Sequence, residues 1–217
     1  MRKAILFDMD GTLLNTLEDL YYSTNAALAA YGFPKRTIEE VRQFVGNGLR
    51  NLMRQAVPDG EENSHFEDCM KTFKEHYGVH LDDHTGPYPG ILKMLQILAE
   101  KGYVMGVVSN KPDFAVKDLA KRYFGEHILV AIGESEKVRR KPAPDTVEQA
   151  ARALGVSMED CIYVGDSEVD LETAKNCRIP CVSVSWGFRE RELLEKLGAK
   201  EIADTTEELV KILTREE

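Results

Sequence analysis

The sequence predicts an α/β fold in which a parallel sheet carries helices on both faces and a small all-helical domain is inserted after the first strand. Short apolar runs recur along the chain with helical segments between them, which is typical of a Rossmann-like core. The stretch from Thr16 to about Gly78 instead contains only helical patterns. The 217 residues are 43% hydrophobic and 30% charged, so we expect an ordinary globular protein.

Five short apolar runs are predicted to be buried strands, because continuous apolar runs are typical of strands that are covered on both faces. These runs are Ala4–Phe7, Tyr103–Val108, Ile128–Ile132, Cys161–Val164 and Cys181–Val184. Helix start signals lie around the later runs, where Ser157 and Thr205 are each followed three residues later by an acid. Strands that alternate with helices indicate a parallel sheet.

Amphipathic helices fill the segment between the first two strands. Four helices are predicted here. The first begins at Leu17 and is stopped by Gly32, and the second runs from Thr37 to Val45. The third runs from about Leu49 to before Pro58, and the fourth covers about Ser64 to Tyr77. The breaker-rich segment Thr85–Gly90 is predicted to be the return linker. We therefore expect a core domain of residues 1–14 and 84–217, and a helical cap domain of residues 15–83.

Composition argues against several classes of protein. A formal net charge of -9 does not suit a nucleic-acid-binding surface, which neutralises phosphates with Lys and Arg. Ala4–Phe7, the only apolar stretch near the N-terminus, is too short for a signal peptide or a membrane span. The four cysteines lack C-x-x-C spacing. We expect a cytoplasmic monomer or homodimer with reduced cysteines that binds neither nucleic acid nor membrane.

Two carboxylates follow the first strand directly. Because side chains alternate along extended chain, Asp8 and Asp10 project to one side and Met9 projects to the other. Ligands of open parallel sheets bind beyond the carboxyl ends of the strands, so both acids lie where a site is expected. Taken alone, the two acids also fit a simple capping role for the turn that follows.

Three further polar stretches follow predicted strands or precede a helix. Ser109 and Asn110 can donate hydrogen bonds to phosphate oxygens. Lys141, in a basic loop, can pair with both a nucleophile and a phosphoryl group. Asp166 and Asp170 offer carboxylate oxygens of the kind that Mg²⁺ prefers. Ordinary loop chemistry explains any one of these stretches equally well, so their combination carries the argument.

Together, the stretches resemble the four motifs of the haloacid dehalogenase-like hydrolase superfamily. Its D-x-D-G-T motif matches Asp8–Thr12, its hydroxyl residue matches Ser109, its lysine matches Lys141, and its G-D-x-x-x-D motif matches Gly165–Asp170. The resemblance covers essentially the whole chain. It implies a sheet order of 5-4-1-2-3 and a helical cap that closes over the active site.

The resemblance also implies a role for each matching residue. Asp8 is the expected nucleophile, which forms an aspartyl-phosphate, and Asp10 is the expected general acid and base. Mg²⁺ is the implied cofactor, and the implied substrate is a small phosphate ester. The implied catalytic residues are Asp8, Asp10 and Lys141; those that bind substrate are Thr12, Ser109, Asn110 and Lys141; the metal ligands are Asp8, the main chain of Asp10, and Asp166, with Asp170 supporting them.

Substrate choice is expected to lie in the cap. The stretch Val45–Arg50 and the Ser109–Lys111 form of the second motif are similar to phosphoglycolate phosphatases. The glycines of Val45–Arg50 permit close approach to a ligand. Asn47 and Arg50 are predicted to contact substrate, since Arg50 can bind a carboxylate through two hydrogen bonds. The stretch fits a plain connection between two cap helices as well. We expect 2-phosphoglycolate to be the substrate.

Three alternatives to this function stay open on the sequence. Relatives with the same motifs include β-phosphoglucomutase-like mutases and pyrophosphatases, and the second acid, Asp10, does not exclude them. A phospho-accepting signalling module shares the acid, the hydroxyl residue, the lysine and Mg²⁺. Such modules are shorter and lack a helical insertion after the first strand, so the insertion predicted here favours the enzyme.

Overall fold

The computed structural model describes residues 4–136 and 138–215. The chain divides into two compact units. The core unit comprises Met1–Leu14 and Pro87–Glu217, and the helical unit comprises Asn15–Gly86. In the part of the chain described, no helix has both the length and the apolar character that a membrane span requires.

A parallel sheet of six strands forms the centre of the core unit, in the order β5-β4-β1-β6-β7-β8. Counted along the chain, the five predicted strands lie in the order 3-2-1-4-5, which is 5-4-1-2-3 from the opposite edge, so the prediction is confirmed. The strands are β1 (Ala4–Phe7), β2 (Leu14–Asn15), β3 (Gly86–Pro87), β4 (Val104–Pro112), β5 (Val130–Glu134), β6 (Cys161–Gly165), β7 (Cys181–Val184) and β8 (Ile202–Ala203).

Helices surround this sheet. They are α5 (Ile91–Glu100), α6 (Asp113–Phe124), α7 (Asp145–Leu154), α8 (Glu168–Cys177), α9 (Arg191–Lys196) and α10 (Thr206–Thr214). In β1, Ala4 and Leu6 pack in a cluster with Val147 and Ala150 of α7. Because side chains alternate along a strand, Ile5 and Phe7 face the other side, and their complete burial shows that this face is covered too.

The predicted bounds of some elements were wrong. The second strand extends beyond Val108 to Pro112, and the third begins at Val130 rather than at Ile128. Thr205 caps α10 as predicted, because its hydroxyl accepts a hydrogen bond from the Glu208 N–H. Ser157 begins only a single 3-10 turn, since β6 starts directly after that turn and leaves no length for an α-helix.

The helical unit is built as the sequence pattern indicated. Its helices are α1 (Leu17–Ala30), α2 (Ile38–Phe44), α3 (Gly48–Ala56) and α4 (Phe66–His80), with a 3-10 turn at Gly60–Glu62. Thr37 and Glu40 form a reciprocal capping box at the start of α2. Buried Asp19 of α1 accepts hydrogen bonds from the main-chain N–H groups of His84 and Thr85, which fixes the returning segment against this unit.

Candidate active site

Polar side chains gather in the core unit at the carboxyl ends of three neighbouring strands. Asp8 follows β1, Ser109 lies near the end of β4, and Asp166 follows β6. Because β4 and β6 pair with the two edges of β1 in parallel, their carboxyl ends meet at one edge of the sheet. The chain thereby brings together polar residues that lie more than a hundred positions apart.

Lys141 lies at the centre of a buried network. Its ammonium is 2.9 Å from Asp8 Oδ1 and 2.7 Å from Asp170 Oδ1. It also donates to the hydroxyl of Tyr163 at 2.9 Å, and that hydroxyl donates to Asp170 Oδ1 at 3.0 Å. Asp170 accepts a further hydrogen bond at Oδ2 from the Ser167 hydroxyl, at 2.6 Å. Asp170 therefore holds the lysine in place beside Asp8.

Asp166 accepts hydrogen bonds from two donors and lies so close to two glycines that no larger residue fits at their positions. Its carboxylate accepts hydrogen bonds from the Thr12 hydroxyl at 3.2 Å and from the Phe188 N–H at 2.7 Å. A Cβ atom at Gly11 would lie 2.3 Å from Asp166 Oδ2, and one at Gly187 would lie 2.4 Å from Asp166 Cβ. Only glycine lets the chain pass this close to the carboxylate.

The acids of this site repel one another. Burial raises the pKa of Asp8 well above its ordinary value of 3.8, and the Asp170 and Asp166 carboxylates raise it further while Lys141 opposes them. Burial and the Asp170 carboxylate together raise the pKa of Asp166 to about 7. Burial alone would lower the pKa of Lys141, but Asp170 and Asp8 outweigh it and raise that pKa, so the lysine stays charged.

The same acids fit a divalent metal. Carboxylate oxygens of Asp8, Asp166 and Asp170 lie within 4.8 Å of one another, and all three residues are buried. Hard cations bind through oxygen ligands of this kind, and a positive charge here would relieve the repulsion between the acids. Asp8 and Asp166 would hold the ion, because the Asp170 oxygens already bind Lys141, Tyr163 and Ser167.

Asp10 lies in a second, separate ion pair. The Lys111 ammonium is 2.8 Å from Asp10 Oδ1, and the Ser109 hydroxyl donates weakly to Asp10 Oδ2 at 3.4 Å. Ser109 is in turn bound by the Lys111 N–H at 3.2 Å. The two acids that follow β1 therefore face different lysines, Lys141 for Asp8 and Lys111 for Asp10.

Residues 5–184 match the haloacid dehalogenase-like hydrolase family. The chain belongs to this family. Phosphoglycolate phosphatase 1 of Pseudomonas aeruginosa is 30% identical over 216 residues, covering 96% of this chain and 78% of the relative. N-acetylmuramic acid 6-phosphate phosphatase of the same species is 31% identical over 215 residues, covering 98% of this chain and 95% of the relative. A solved structure of a proposed phosphoglycolate phosphatase from Lactobacillus delbrueckii is 36% identical, covers each chain completely and has a TM-score of 0.95.

These comparisons confirm the predicted family, the predicted fold class and the predicted enzyme class, a phosphatase. The core unit brings together the residues expected from the family motifs. These are Asp8, Asp10, Thr12, Ser109, Asn110, Lys141, Asp166 and Asp170.

Two of the predicted substrate ligands bond to other site residues. The Thr12 hydroxyl donates to Asp166. The Asn110 side chain binds the main chain of Lys141 twice: its amide donates to the Lys141 carbonyl at 3.0 Å, and its oxygen accepts from the Lys141 N–H at 2.7 Å. In this family member Asn110 therefore fixes the position of the lysine.

The two predicted cap residues lie in the helical unit. Asn47 precedes α3, and Arg50 lies in its first turn. The Arg50 guanidinium pairs with Glu67 at 2.7 Å and with Glu61 at 2.8 Å, and it lies 4.9 Å from the ring centre of Phe66. Carboxylates of its own unit thus engage Arg50.

Sequence reasoning assigned no role to Lys111 or Tyr163, although both enter the family's site. Lys111 entered only as the last residue of the Ser109–Lys111 form of the second motif, without a role of its own. Tyr163 was visible only as a polar-tipped aromatic residue in a buried strand. Neither pattern names a partner, because Asp10 and Asp170 reach these residues only through the fold.

Proposed function

We propose that this protein is a Mg²⁺-dependent phosphatase that hydrolyses 2-phosphoglycolate through an aspartyl-phosphate on Asp8. The observation that carries the proposal is the pairing of two acids with two different lysines, Asp8 with Lys141 at 2.9 Å and Asp10 with Lys111 at 2.8 Å. This arrangement separates an acid suited to nucleophilic attack from an acid suited to proton transfer.

In the first step, Asp8 attacks the phosphoryl group. A carboxylate oxygen forms a bond to phosphorus while the bond between phosphorus and the ester oxygen breaks. Asp10, in its acid form, gives its proton to the departing alkoxide. Lys141 keeps its charge because Asp170 and Asp8 surround it, and that charge offsets the approach of two anions.

In the second step, water hydrolyses the aspartyl-phosphate. The water oxygen bonds to phosphorus, and the Asp10 carboxylate takes the proton that the water loses. The bond between phosphorus and the Asp8 oxygen breaks, and its electron pair returns to the carboxylate. The products are the alcohol and inorganic phosphate, and both acids are back in their starting forms.

We assign the metal to Asp8, Asp166 and the main-chain carbonyl of Asp10. When bound, Mg²⁺ supplies positive charge that offsets the repulsion between Asp8 and a phosphate dianion. Asp170 supports this assignment indirectly, since it holds Lys141 and the Ser167 hydroxyl beside the acids. In the formal charge balance, four carboxylates face two ammonium groups, which leaves room for a dication: Asp8, Asp10, Asp166 and Asp170 against Lys111 and Lys141.

The choice of 2-phosphoglycolate is supported by a relative that bears this substrate's name and by the stretch Val45–Arg50. A second candidate is an amino-sugar phosphate such as N-acetylmuramic acid 6-phosphate, because the relative of that name covers 98% of the chain. Both compounds carry a carboxylate as well as a phosphate monoester. A cationic group that binds a carboxylate would therefore serve either substrate.

Arg50 is the proposed carboxylate ligand. To bind substrate it must exchange Glu61 or Glu67 for the substrate's carboxylate. Each glutamate accepts two hydrogen bonds from the guanidinium, and the substrate's carboxylate can accept the same two, so the exchange replaces one bidentate pair with another. We expect Arg50→Gln to raise the KM for 2-phosphoglycolate about tenfold, the loss of one charge-assisted contact, and to leave the KM for p-nitrophenyl phosphate unchanged. Arg54→Gln on the same helix is the matched control, and equal changes for both esters would contradict the assignment.

Phosphate release from a panel of esters tests the function as a whole. The panel contains 2-phosphoglycolate, N-acetylmuramic acid 6-phosphate, pyrophosphate and β-glucose 1-phosphate, each with Mg²⁺ and with chelator. We expect metal-dependent turnover that is greatest for 2-phosphoglycolate and absent in Asp8→Asn. In Asp10→Asn, intact-mass measurement should detect a protein that carries one phosphoryl group. Wild-type turnover by Asp8→Asn would exclude the covalent mechanism.

A further inference from the structure

A buried lysine to which the family motifs give no role of its own lies beside the proposed acid and base. Lys111 follows Ser109 and Asn110 near the end of β4, and its side chain is only 2% exposed. Burying an ammonium without a partner is costly, so such lysines are retained beside a compensating group. The position of this partner indicates what the lysine does.

The ammonium of Lys111 lies 2.8 Å from Asp10 Oδ1. The exposed fractions of the two side chains differ, with 15% for Asp10 against 2% for Lys111. Asp10 is therefore the more accessible member of the pair, and the lysine approaches it from the protein interior. This arrangement suits a residue that supports Asp10 better than one that contacts substrate itself.

Asp10 also stands apart from the other acids. The carboxylates that share one small space are those of Asp8, Asp166 and Asp170, and Asp10 is not among them. A general acid and base must keep its carboxyl free of the metal, since an oxygen coordinated to a metal ion does not carry the proton that the leaving group needs. The Lys111 ion pair gives Asp10 a competing partner outside the acid cluster.

An irregularity in the sheet aims Lys111 at Asp10. In the pairing of β4 with β5, Val108 lies opposite Ile132, but Pro112 lies opposite Glu134, so β4 advances four residues while β5 advances two. Extra residues in one strand form a bulge, which redirects side chains locally. Ser109 and Lys111 both turn to Asp10 from this bulge, and Asn110 turns to the main chain of Lys141.

We propose that Lys111 is a positioning residue that holds the Asp10 carboxyl away from the metal site and aimed at the leaving-group oxygen. Its charge also stabilises the carboxylate that Asp10 becomes once it has protonated the alkoxide. The proposal rests on the proposed function, because it takes Asp10 to be the general acid and base. Lys111 acts through Asp10, while Lys141 serves Asp8.

A double-mutant cycle tests this assignment with wild type, Lys111→Met, Asp10→Asn and the double variant. General acid and base catalysis contributes about a hundredfold or more, so we expect Lys111→Met to lower kcat for 2-phosphoglycolate about tenfold to a hundredfold with little change in KM. In the Asp10→Asn background the same substitution should cause no further loss. If the lysine bound substrate directly, KM would rise and the loss would persist without Asp10, and the proposal would be overturned.

A better leaving group supplies a second readout. p-Nitrophenolate departs without a proton, so Lys111→Met should keep the rate of the initial p-nitrophenolate burst and slow the steady state that follows. An equal loss in both phases would indicate general damage and would overturn the positioning role. Lys117→Met is the matched control, because Lys117 is an exposed lysine of α6 that pairs with Asp113, and its kinetics should equal those of wild type.

The same four proteins separate failure of this inference from failure of the proposed function. If wild type hydrolyses no ester, the proposed function is wrong, and the cycle is then measured on free energies of unfolding in urea. Non-additive free energies support the Lys111 and Asp10 pair, and additive ones overturn it. Should Lys111→Met not fold, Lys111→Gln, which keeps a polar group at the position, replaces it in each measurement.

Discussion

Replacing Asp166 with asparagine should stabilise the metal-free protein while abolishing its activity. Burial of the Asp166 carboxylate and, second, the charge of the neighbouring Asp170 raise its pKa to about 7. Asparagine has nearly the same shape but carries no charge. The substitution therefore removes a buried charge and its repulsion by Asp170, and it also removes one carboxylate ligand of the metal.

The sign of the effect follows from proton binding. In the unfolded chain the Asp166 carboxyl titrates near its ordinary value of 3.8, whereas its pKa in the folded protein is about 7. Between these values the folded state holds a proton that the unfolded state has lost. The free energy of unfolding of the metal-free protein therefore falls as the pH rises through this window, and the penalty is absent below it.

The magnitude follows from the same two pKa values. One pH unit corresponds to about 1.4 kcal/mol, so the full penalty above the folded pKa is about 4 kcal/mol, and about 2 to 3 kcal/mol of it develops between pH 5 and pH 8. Asparagine offers one acceptor oxygen in place of the two that bind Thr12 and Phe188. Losing one hydrogen bond costs about 1 kcal/mol at every pH, so removal of the buried charge outweighs that cost at pH 8.

Urea unfolding followed by circular dichroism, with chelator present, measures this difference at several pH values. We expect Asp166→Asn to gain on wild type by about 2 to 3 kcal/mol between pH 5 and pH 8. Groups far from Asp166 cancel in the comparison, and Asp8, whose pKa the Asp166 carboxylate raises, changes the difference in the same direction. Added Mg²⁺ should stabilise wild type and leave the variant unchanged. Parallel stability curves for the two proteins would refute the reasoning, because the pKa of Asp166 would then be the same in the folded and the unfolded protein.

Three further predictions follow from the site and the core. Gly11→Ala should abolish turnover and should lower the free energy of unfolding by about 1 to 3 kcal/mol more than Gly155→Ala does. Both glycines have positive φ, but only at Gly11 would a Cβ meet Asp166. Urea unfolding and phosphate release compare the two variants, and equal losses would contradict the clash. Asn110→Ala should lower kcat about tenfold or more, as expected for a displaced catalytic group, because the main chain of Lys141 loses two hydrogen bonds; unchanged phosphate release would show that Lys141 needs no such support. Burial raises the pKa of the Cys69 thiol to about 11, so at pH 8 a thiol reagent should modify Cys69 only after unfolding, and peptide mass mapping that finds rapid native-state labelling would exclude this burial.

Local patterns predicted the fold because the five longer strands and most helices carry their own signals, whereas the two-residue strands β2, β3 and β8 were not predicted. The apolar run Ala4–Phe7 became a fully buried central strand, and the box of Thr37 and Glu40 starts α2. The exception is instructive. Ser157 carries the same kind of signal, yet it starts only a single turn, because the strand from Cys161 follows at once and neighbouring strands stabilise it.

Hydrogen-bond partners were not predictable in the same way. The sequence predicted that Asn110 and Thr12 bind substrate, whereas the structure pairs Asn110 with the main chain of Lys141 and Thr12 with Asp166. It marked Arg50 as a carboxylate ligand, and the structure pairs it with Glu61 and Glu67. A side chain's chemistry is local, but the choice among competing partners depends on distances that only the folded chain sets.

The sequence by itself determined the α/β class and the acids, hydroxyl and lysine at the strand ends, because alternation, breakers and motif spacing are properties of short segments. The sheet order came only from the family resemblance. Only the tertiary structure decided that Asp8 faces Lys141 while Asp10 faces Lys111. Both acids follow one strand and look equivalent in sequence. Their partners come from a distant loop and from a bulge in the neighbouring strand, and packing of the whole sheet brings each to its acid.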